Sequence, residues 1–315
     1  MKPLVIVNPR SQGGKTGRIA GELVRVLSAR IGEVEVRTTE RPRHATELAE
    51  HAALEGRDLV VVVGGDGSIN EAANGLCAAR ARVTTLPKLG IIGQGTGGDF
   101  RKTLGLEHRL DRYCDAIAGG KTRGVDVGRF RYRTRAGEER SAYFVNILSL
   151  GLGGLADRYV AESGRPLGGA VAYFTASVRA LANIEVGVLR CTVKHAGTTR
   201  ELELPTRMLA ICNGRFFGGG MEVAPMAEPD DGTFHVVSLG AAPKVEFFFA
   251  SLSIYRGTHL NNPNAAVFPC NAIDIALENE RIRDNFPLDV DGEPLGTLPL
   301  SIELVPRALD VFVPG

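Results

Sequence analysis

Along the first 120 or so residues, short apolar runs alternate with stretches whose apolar positions recur every three to four residues. Leu4–Val7, 59–63 and 89–92 are apolar and largely β-branched, the pattern of strands buried on both faces. A further strand is expected at 34–37, ending in Thr38-Thr39. Between them, Ile19, Leu23, Val26 and Leu27 mark an amphipathic helix. A second helix over 43–55 stops at Gly56, a normal place for a glycine just past a helix end. Ile69, Ala72, Ala73 and Leu76 fall at i, i+3, i+4 and i+7, so a third helix begins near Ser68. This alternation predicts an α/β domain with a parallel sheet and helices on both faces.

Near residue 122 the rhythm becomes that of hairpins. Val125 to Thr134 alternates, Ala136-Gly137 turns, and 143–150 reads as a strand. A helical insertion is expected over 168–182. Strand-like runs recur at 185–194, 200–204, 207–212, 233–239 and 272–277, interrupted by helix-like 244–256. The second domain is therefore expected to be β-rich, a sandwich or barrel. The expected division is 1–124 and 125–301, with 302–315 free to return to the first domain.

In open parallel sheets, ligands bind at the carboxyl ends of the strands. Asn8, Thr39, the turn 64–68 and the loop 95–99 all fall there. The turn Gly64-Gly65-Asp66-Gly67-Ser68 lies between a strand and a helix N-terminus. Its glycines let a ligand approach the backbone. The first N–H groups and the dipole of the helix favour phosphate. Asp66 would repel phosphate unless a cation or a sugar hydroxyl intervened, so the turn reads as a nucleotide site with Mg²⁺ nearby. The plainer alternative is a tight turn with Asp66 capping the helix. Gly13-Gly14-Lys15-Thr16 resembles the end of a P-loop, but Pro9 stands where the first glycine belongs. Gly93 to Gly98 satisfies G-x-G-x-x-G, yet it follows the fourth strand rather than the first, with no strand-ending acid beyond it to hold a ribose.

Composition narrows the setting. Net charge is +1, which gives no argument for nucleic acid. Five scattered cysteines without a CxxC argue against zinc and a disulfide framework, and for a reducing compartment. The N-terminus lacks the pattern of a signal peptide, and no apolar run approaches the ~20 residues of a membrane span. A cytoplasmic setting is expected. Arg129, Arg131, Arg133 and Arg135 line one strand face. Such a stripe suits anionic lipid headgroups, although it is more often a solvated face. Asp126, Asp230-Asp231-Gly232 and Asp289-Val-Asp291-Gly292-Glu293 are further acidic positions, each by itself an ordinary turn signal.

Together, Gly64-Gly65-Asp66-Gly67-Ser68 with Glu71, Asn74-Gly75-Leu76 and Gly95-Thr96-Gly97-x-Asp99-Phe100 resemble the diacylglycerol kinase catalytic-domain family. This family includes bacterial lipid kinases, sphingosine and ceramide kinases, and has the NAD kinases as distant relatives. Asn8-Pro9, Thr39 with His44-Ala45, Val125-Asp126, Asp230-Asp231-Gly232 and Asp291-Gly292-Glu293 match in order over nearly the whole chain. Ser68 stands where threonine is usual, and Gly98 where asparagine usually precedes Asp99.

The resemblance implies an ATP-binding α/β domain, a β-sandwich-like lipid-holding domain, and transfer of the γ-phosphoryl group of ATP to a lipid hydroxyl, most simply that of diacylglycerol. It implies Asp291 and Glu293 as carriers of the base, with the choice between them open, and Asp66 as a third catalytic acid. Asn8, Thr39, Gly64, Gly65, Asp66, Gly67, Ser68, Glu71, Gly95, Thr96, Gly97 and Asp99 would form the nucleotide site. A structural Mg²⁺ would be held by Asp231 and the carbonyls of Glu228 and Thr233. Asp66, Asp99 and Asp126 would serve the catalytic Mg²⁺. Peripheral, reversible membrane contact is expected, with Phe216-Phe217 as an apolar tip, and a homodimer is compatible. The alternatives are a sphingoid-base or ceramide kinase, an NAD-kinase-like enzyme with a small soluble acceptor, a dehydrogenase using Gly93 to Gly98, and a kinase-like regulator without turnover.

Overall fold

The computed structural model of the chain describes residues 2–134, 136–163 and 169–315. Arg135, and residue 168 at the expected start of the insertion, lie outside the described residues. The chain forms two units, Met1–Val127 with Pro306–Gly315, and Gly128–Val305.

The first unit runs β1 (Leu4–Val7), α1 (Lys15–Ile31), β2 (Glu35–Thr38), α2 (His44–Leu54), β3 (Leu59–Gly64), α3 (Asp66–Ala79), β4 (Lys88–Gly93), a short α4 (Asp99–Thr103) and α5 (Leu110–Gly119). Its strands lie parallel in the order β2-β1-β3-β4, with Val5 beside Val36 and Val61, and Val61 beside Gly90. Val60, Val61, Val62 and Val63 are fully buried, as an unbroken apolar run requires. The chain's last stretch returns here, placing Val311 in parallel pairing beside Leu89. Gly75 lets α3 pack on α2, since a Cβ there would stand 2.1 Å from the carbonyl oxygen of Thr46. Helix α3 starts at Asp66, two residues before the expected Ser68, because the extended Gly65 already precedes it.

Strand β5 (Thr122–Arg133) leads into the second unit. There follow β6 (Glu139–Phe144), β7 (Ile147–Gly151), α6 (Leu152–Ser163), α7 (Gly169–Asn183), β8 (Gly187–His195), β9 (Thr198–Thr206), β10 (Met208–Cys212), β11 (Phe216–Phe217), β12 (Met221–Glu222) and β13 (Phe234–Ser238). Then come α8 (Lys244–Leu252), β14 (Ala266–Cys270), β15 (Ala272–Leu277), β16 (Leu288–Val290), β17 (Glu293–Leu295) and β18 (Thr297–Phe312).

Within this unit, β6-β5-β18-β15-β8-β9 form one antiparallel layer and β14-β13-β10-β7-β16-β17 another. Leu148, Leu150, Leu209 and Ile211 join Phe130, Phe144, Ile273 and Leu300 in the core between the layers. Met208, Ala210 and Cys212 alternate with them toward a second core with Ile147, Phe247 and Ile254. The second layer is thus buried on both faces, which is why 208–212 lacks polar alternation.

Two expectations are corrected. The single strand expected at 143–150 is broken at Val145-Asn146, whose N–H groups are drawn to a side chain described below. Phe217 is not an exposed tip: it is 8% exposed and belongs to the second core. All five cysteines are buried and free. No helix among the described residues is long and apolar enough to cross a membrane.

Candidate active site

In the first unit, the loops after β1, β3 and β4 lock together at the carboxyl edge of the sheet. The Asn8 N–H donates to the Val63 carbonyl at 2.9 Å, and its side-chain amide to Ser68 Oγ at 2.8 Å. A Cβ on Gly64 would lie 2.6 Å from that Oγ, so the contact demands glycine. A Cβ on Gly95 would lie 2.7 Å from Gly65 Cα, so the two Gly-rich loops touch backbone to backbone. Gly93 ends β4, Gly95 packs on Gly65, and the Gly98 N–H is committed to Asp66. The G-x-G-x-x-G pattern here serves loop packing rather than the opening of a dinucleotide helix.

Asp66 is the clasp of this arrangement. Its carboxylate accepts the N–H groups of Gly98 at 2.8 Å and of Asp99 and Phe100 at 3.3 Å. Burial and the nearby Asp99 charge push its carboxyl above the usual range, and the three amides oppose that shift. Gly98 takes φ +60° with Arg101 against it, a conformation in which glycine is at ease. The Asp99 carboxylate accepts the Lys102 ammonium at 2.9 Å. Gly67 stands in the first turn of α3, whose dipole favours an anion, and Thr96 is exposed in the neighbouring loop.

Glu71 reaches from α3 to the start of α2, accepting the N–H of Arg43 at 2.8 Å and of Ala45 at 3.2 Å. It thereby fixes the segment that follows Thr39. Asp126, 1% exposed, accepts the Arg307 N–H at 2.7 Å. Asp66→Ala is expected to orphan three backbone donors. It should weaken nucleotide binding about tenfold or more and speed amide exchange at residues 98–100; unchanged exchange there would show that the clasp does not hold the loop.

In the second unit, the turn Asp291-Gly292-Glu293 joins β16 to β17. Asp291, at φ +51° and 6% exposed, accepts the N–H groups of Val145 at 2.9 Å, Asn146 at 3.1 Å and Ile147 at 2.9 Å. Its own N–H donates to the Ile147 carbonyl at 3.0 Å. This cradle breaks the expected strand, because the N–H groups at 145 and 146 serve a carboxylate instead of a neighbouring strand. Glu293 is exposed. Asp231 accepts the Thr233 N–H at 2.9 Å, and its own N–H donates to the Glu228 carbonyl at 3.4 Å, so the three residues expected to hold a cation share one turn.

A buried acid that sequence reading left unassigned is Asp289. It is 2% exposed, accepts the Ser149 hydroxyl at 3.3 Å and faces Asp157. Burial first, then the Asp157 charge and hydrogen bond, push its carboxyl well above the usual range. An acid on a short strand gives no local sign of facing inward. Because its pKa is raised on folding, the unfolded chain releases this proton first as pH rises. Stability attached to Asp289 is therefore full below the ordinary carboxylate range and declines as pH climbs toward the raised value. Asp289→Asn keeps the Ser149 contact and removes the charge, so it should raise Tm more at pH 8 than at pH 4.5. Equal shifts at both pH values would count against a proton held here.

Residues 2–130 match the diacylglycerol kinase catalytic domain. Residues 146–313 match the YegS C-terminal NAD kinase beta sandwich-like domain. A Staphylococcus aureus protein named diacylglycerol kinase is 27% identical over 311 residues, 99% of this chain and 92% of that protein. A Bacillus subtilis protein of the same name is 27% identical over 271 residues, covering 86% and 82%. A crystal structure from Bacillus anthracis, assigned as a diacylglycerol kinase, has a TM-score of 0.77 at 25% identity, covering 99% of this chain and 95% of that one.

Proposed function

Because this chain belongs to the diacylglycerol kinase catalytic-domain family, we propose that this ATP-dependent lipid kinase phosphorylates diacylglycerol, yielding phosphatidic acid and ADP. The observation that carries the chemical reading is the turn at 291–293. Its first acid is immobilised by three backbone amides, while its second is exposed. That division supports assigning Asp291 to position the turn and Glu293 to serve as the base.

Glu293 takes the proton of the acceptor hydroxyl as the oxygen lone pair attacks the γ-phosphorus. The bond from that phosphorus to the β,γ-bridging oxygen breaks, and ADP departs. Phosphoryl transfer asks the protein for positioning and for stabilisation of charge on the phosphoryl oxygens. The Gly64–Ser68 turn at the α3 N-terminus serves the phosphates, with Asn8 and Asp66 fixing its shape. Thr39 and Thr96 contribute hydroxyl contacts to the nucleotide.

Mg²⁺ belongs to this proposal. Asp231, the Glu228 carbonyl and the Thr233 carbonyl offer oxygen only, which suits a hard cation in kind. Asp66, Asp99 and Asp126 are the acids we assign to the catalytic Mg²⁺, as ligands or as groups that hold its ligands; Asp66 and Asp126 also accept backbone N–H groups, and Asp99 the Lys102 ammonium. Bound there, Mg²⁺ would neutralise phosphate charge.

The test is incubation of the purified full chain with radiolabelled ATP and separate micelles of diacylglycerol, ceramide and sphingosine, with NAD⁺ as a soluble acceptor. Label in phosphatidic acid is the expected result. Label in ceramide or sphingosine phosphate would move the assignment to the sphingoid branch, and label in NADP⁺ to a soluble acceptor.

A further inference from the structure

Helix α8 has two apolar faces. Phe247 and, just beyond the helix, Ile254 are each 2% exposed and lie in the second core. On the other side, Val245, Phe249 and Leu252 follow one another at i, i+4 and i+7, which aligns them on one stripe. They are 72%, 66% and 48% exposed, and Tyr255, 55% exposed, continues the stripe past the helix end. Single exposed apolar residues need no explanation, but four large ones within eleven consecutive positions do. A helix that only covered a core would be polar on its outer side.

The borders of the stripe are basic. Lys244 begins the helix, its ammonium reaching the Ala182 carbonyl on α7, and Arg256 stands exposed beyond its end. On α7, Arg179 and Val178 are also exposed. Two acids lie in the neighbourhood. Glu246 accepts the Asn264 side-chain amide at 2.9 Å, and Glu222 packs beside Gly257. An exposed apolar stripe bordered by lysine and arginine suits contact with an anionic lipid surface. Tyrosine at the end of the stripe fits the same setting, with an apolar ring and a polar tip.

We propose that the outer face of α8, Val245, Phe249, Leu252 and Tyr255 with Lys244 and Arg256, docks on the surface of an anionic lipid bilayer. This rests on the lipid acceptor proposed above, which keeps its acyl chains in a bilayer and must be met at its surface. A second copy of the chain is the poorer occupant. The stripe offers on the order of a few hundred Å², whereas each partner in a stable dimer contributes about 800 Å².

The experiment is vesicle flotation of the full chain without ATP, on phosphatidylcholine alone and on a mixture one-third phosphatidylglycerol. Wild type should float with the anionic vesicles. The double variant Phe249→Ser/Leu252→Ser should bind them about tenfold or more weakly, since two large apolar side chains no longer leave water. Arg256→Gln should weaken binding less, with an effect that vanishes at high salt. With vesicle-borne acceptor, the double variant should raise the acceptor KM and spare the KM for ATP. With acceptor in detergent micelles, it should match wild type. Flotation of the double variant equal to wild type would overturn the proposal, and so would a shift from dimer to monomer by light scattering with flotation intact. Should wild type float through this stripe yet phosphorylate no lipid, the docking surface stands and the substrate assignment falls.

Discussion

Replacing Glu293 by Gln is expected to lower kcat about 10²–10⁴-fold, the usual contribution of a positioned general base. The amide keeps the shape of the side chain and loses its ability to take a proton. Glu293 is exposed on the short strand β17, so its replacement should leave the unfolding free energy within about 0.5 kcal/mol of wild type. The nucleotide turn lies on other loops, so the KM for ATP should stay close to its wild-type value. A fall in kcat and kcat/KM together, with substrate binding intact, is the signature of an interaction made only in the transition state. Near wild-type kcat in a folded Glu293→Gln variant would place the base elsewhere.

Asp291→Ala is expected to act on stability first. Three buried backbone N–H groups lose their acceptor, at about 1–3 kcal/mol each when left unsatisfied. Alanine would also have to hold the left-handed φ of +51°, which adds roughly 1 kcal/mol. The sum is a large part of the 5–15 kcal/mol that holds a typical domain together. Tm should fall by roughly 10 °C or more. Asp291→Asn should fall less, because the amide oxygen still accepts and asparagine tolerates this backbone region. The two neighbouring acids thus separate by readout, Glu293 in kcat and Asp291 in the thermal midpoint. Wild-type Tm in Asp291→Ala would mean that the cradle at 145–147 does not depend on the carboxylate.

The fold was legible where burial is periodic. Val60 to Val63 and Met208 to Cys212 have no polar alternation because both sides of those strands are covered. Positions 245 and 249 show the limit of that signal: periodicity marks α8 as apolar, but not that one of its apolar faces stays outside. Phe216-Phe217 shows the converse, since flanking glycines suggested a mobile tip while Phe217 is packed in a core. The tight turn from β3 into α3 was legible because three glycines in five residues have few other uses. The task of its aspartate was not, because the amides that Asp66 holds come from 32 to 34 residues away.

By itself, the sequence determined the parallel α/β alternation, the antiparallel grammar of the second unit, the gathering of Asn8, Thr39, Gly64 to Ser68 and Gly95 to Asp99 at strand ends, and the family resemblance. These depend on local spacing and on residue types whose backbone preferences are intrinsic. Only the tertiary structure decided what surrounds each carboxylate. Asp291 meets amides some 145 positions earlier in the chain, and Asp289 is buried facing Asp157. A carboxylate's role is set by the donors, charges and water around it, and strand pairing brings those together from distances that local spacing does not encode.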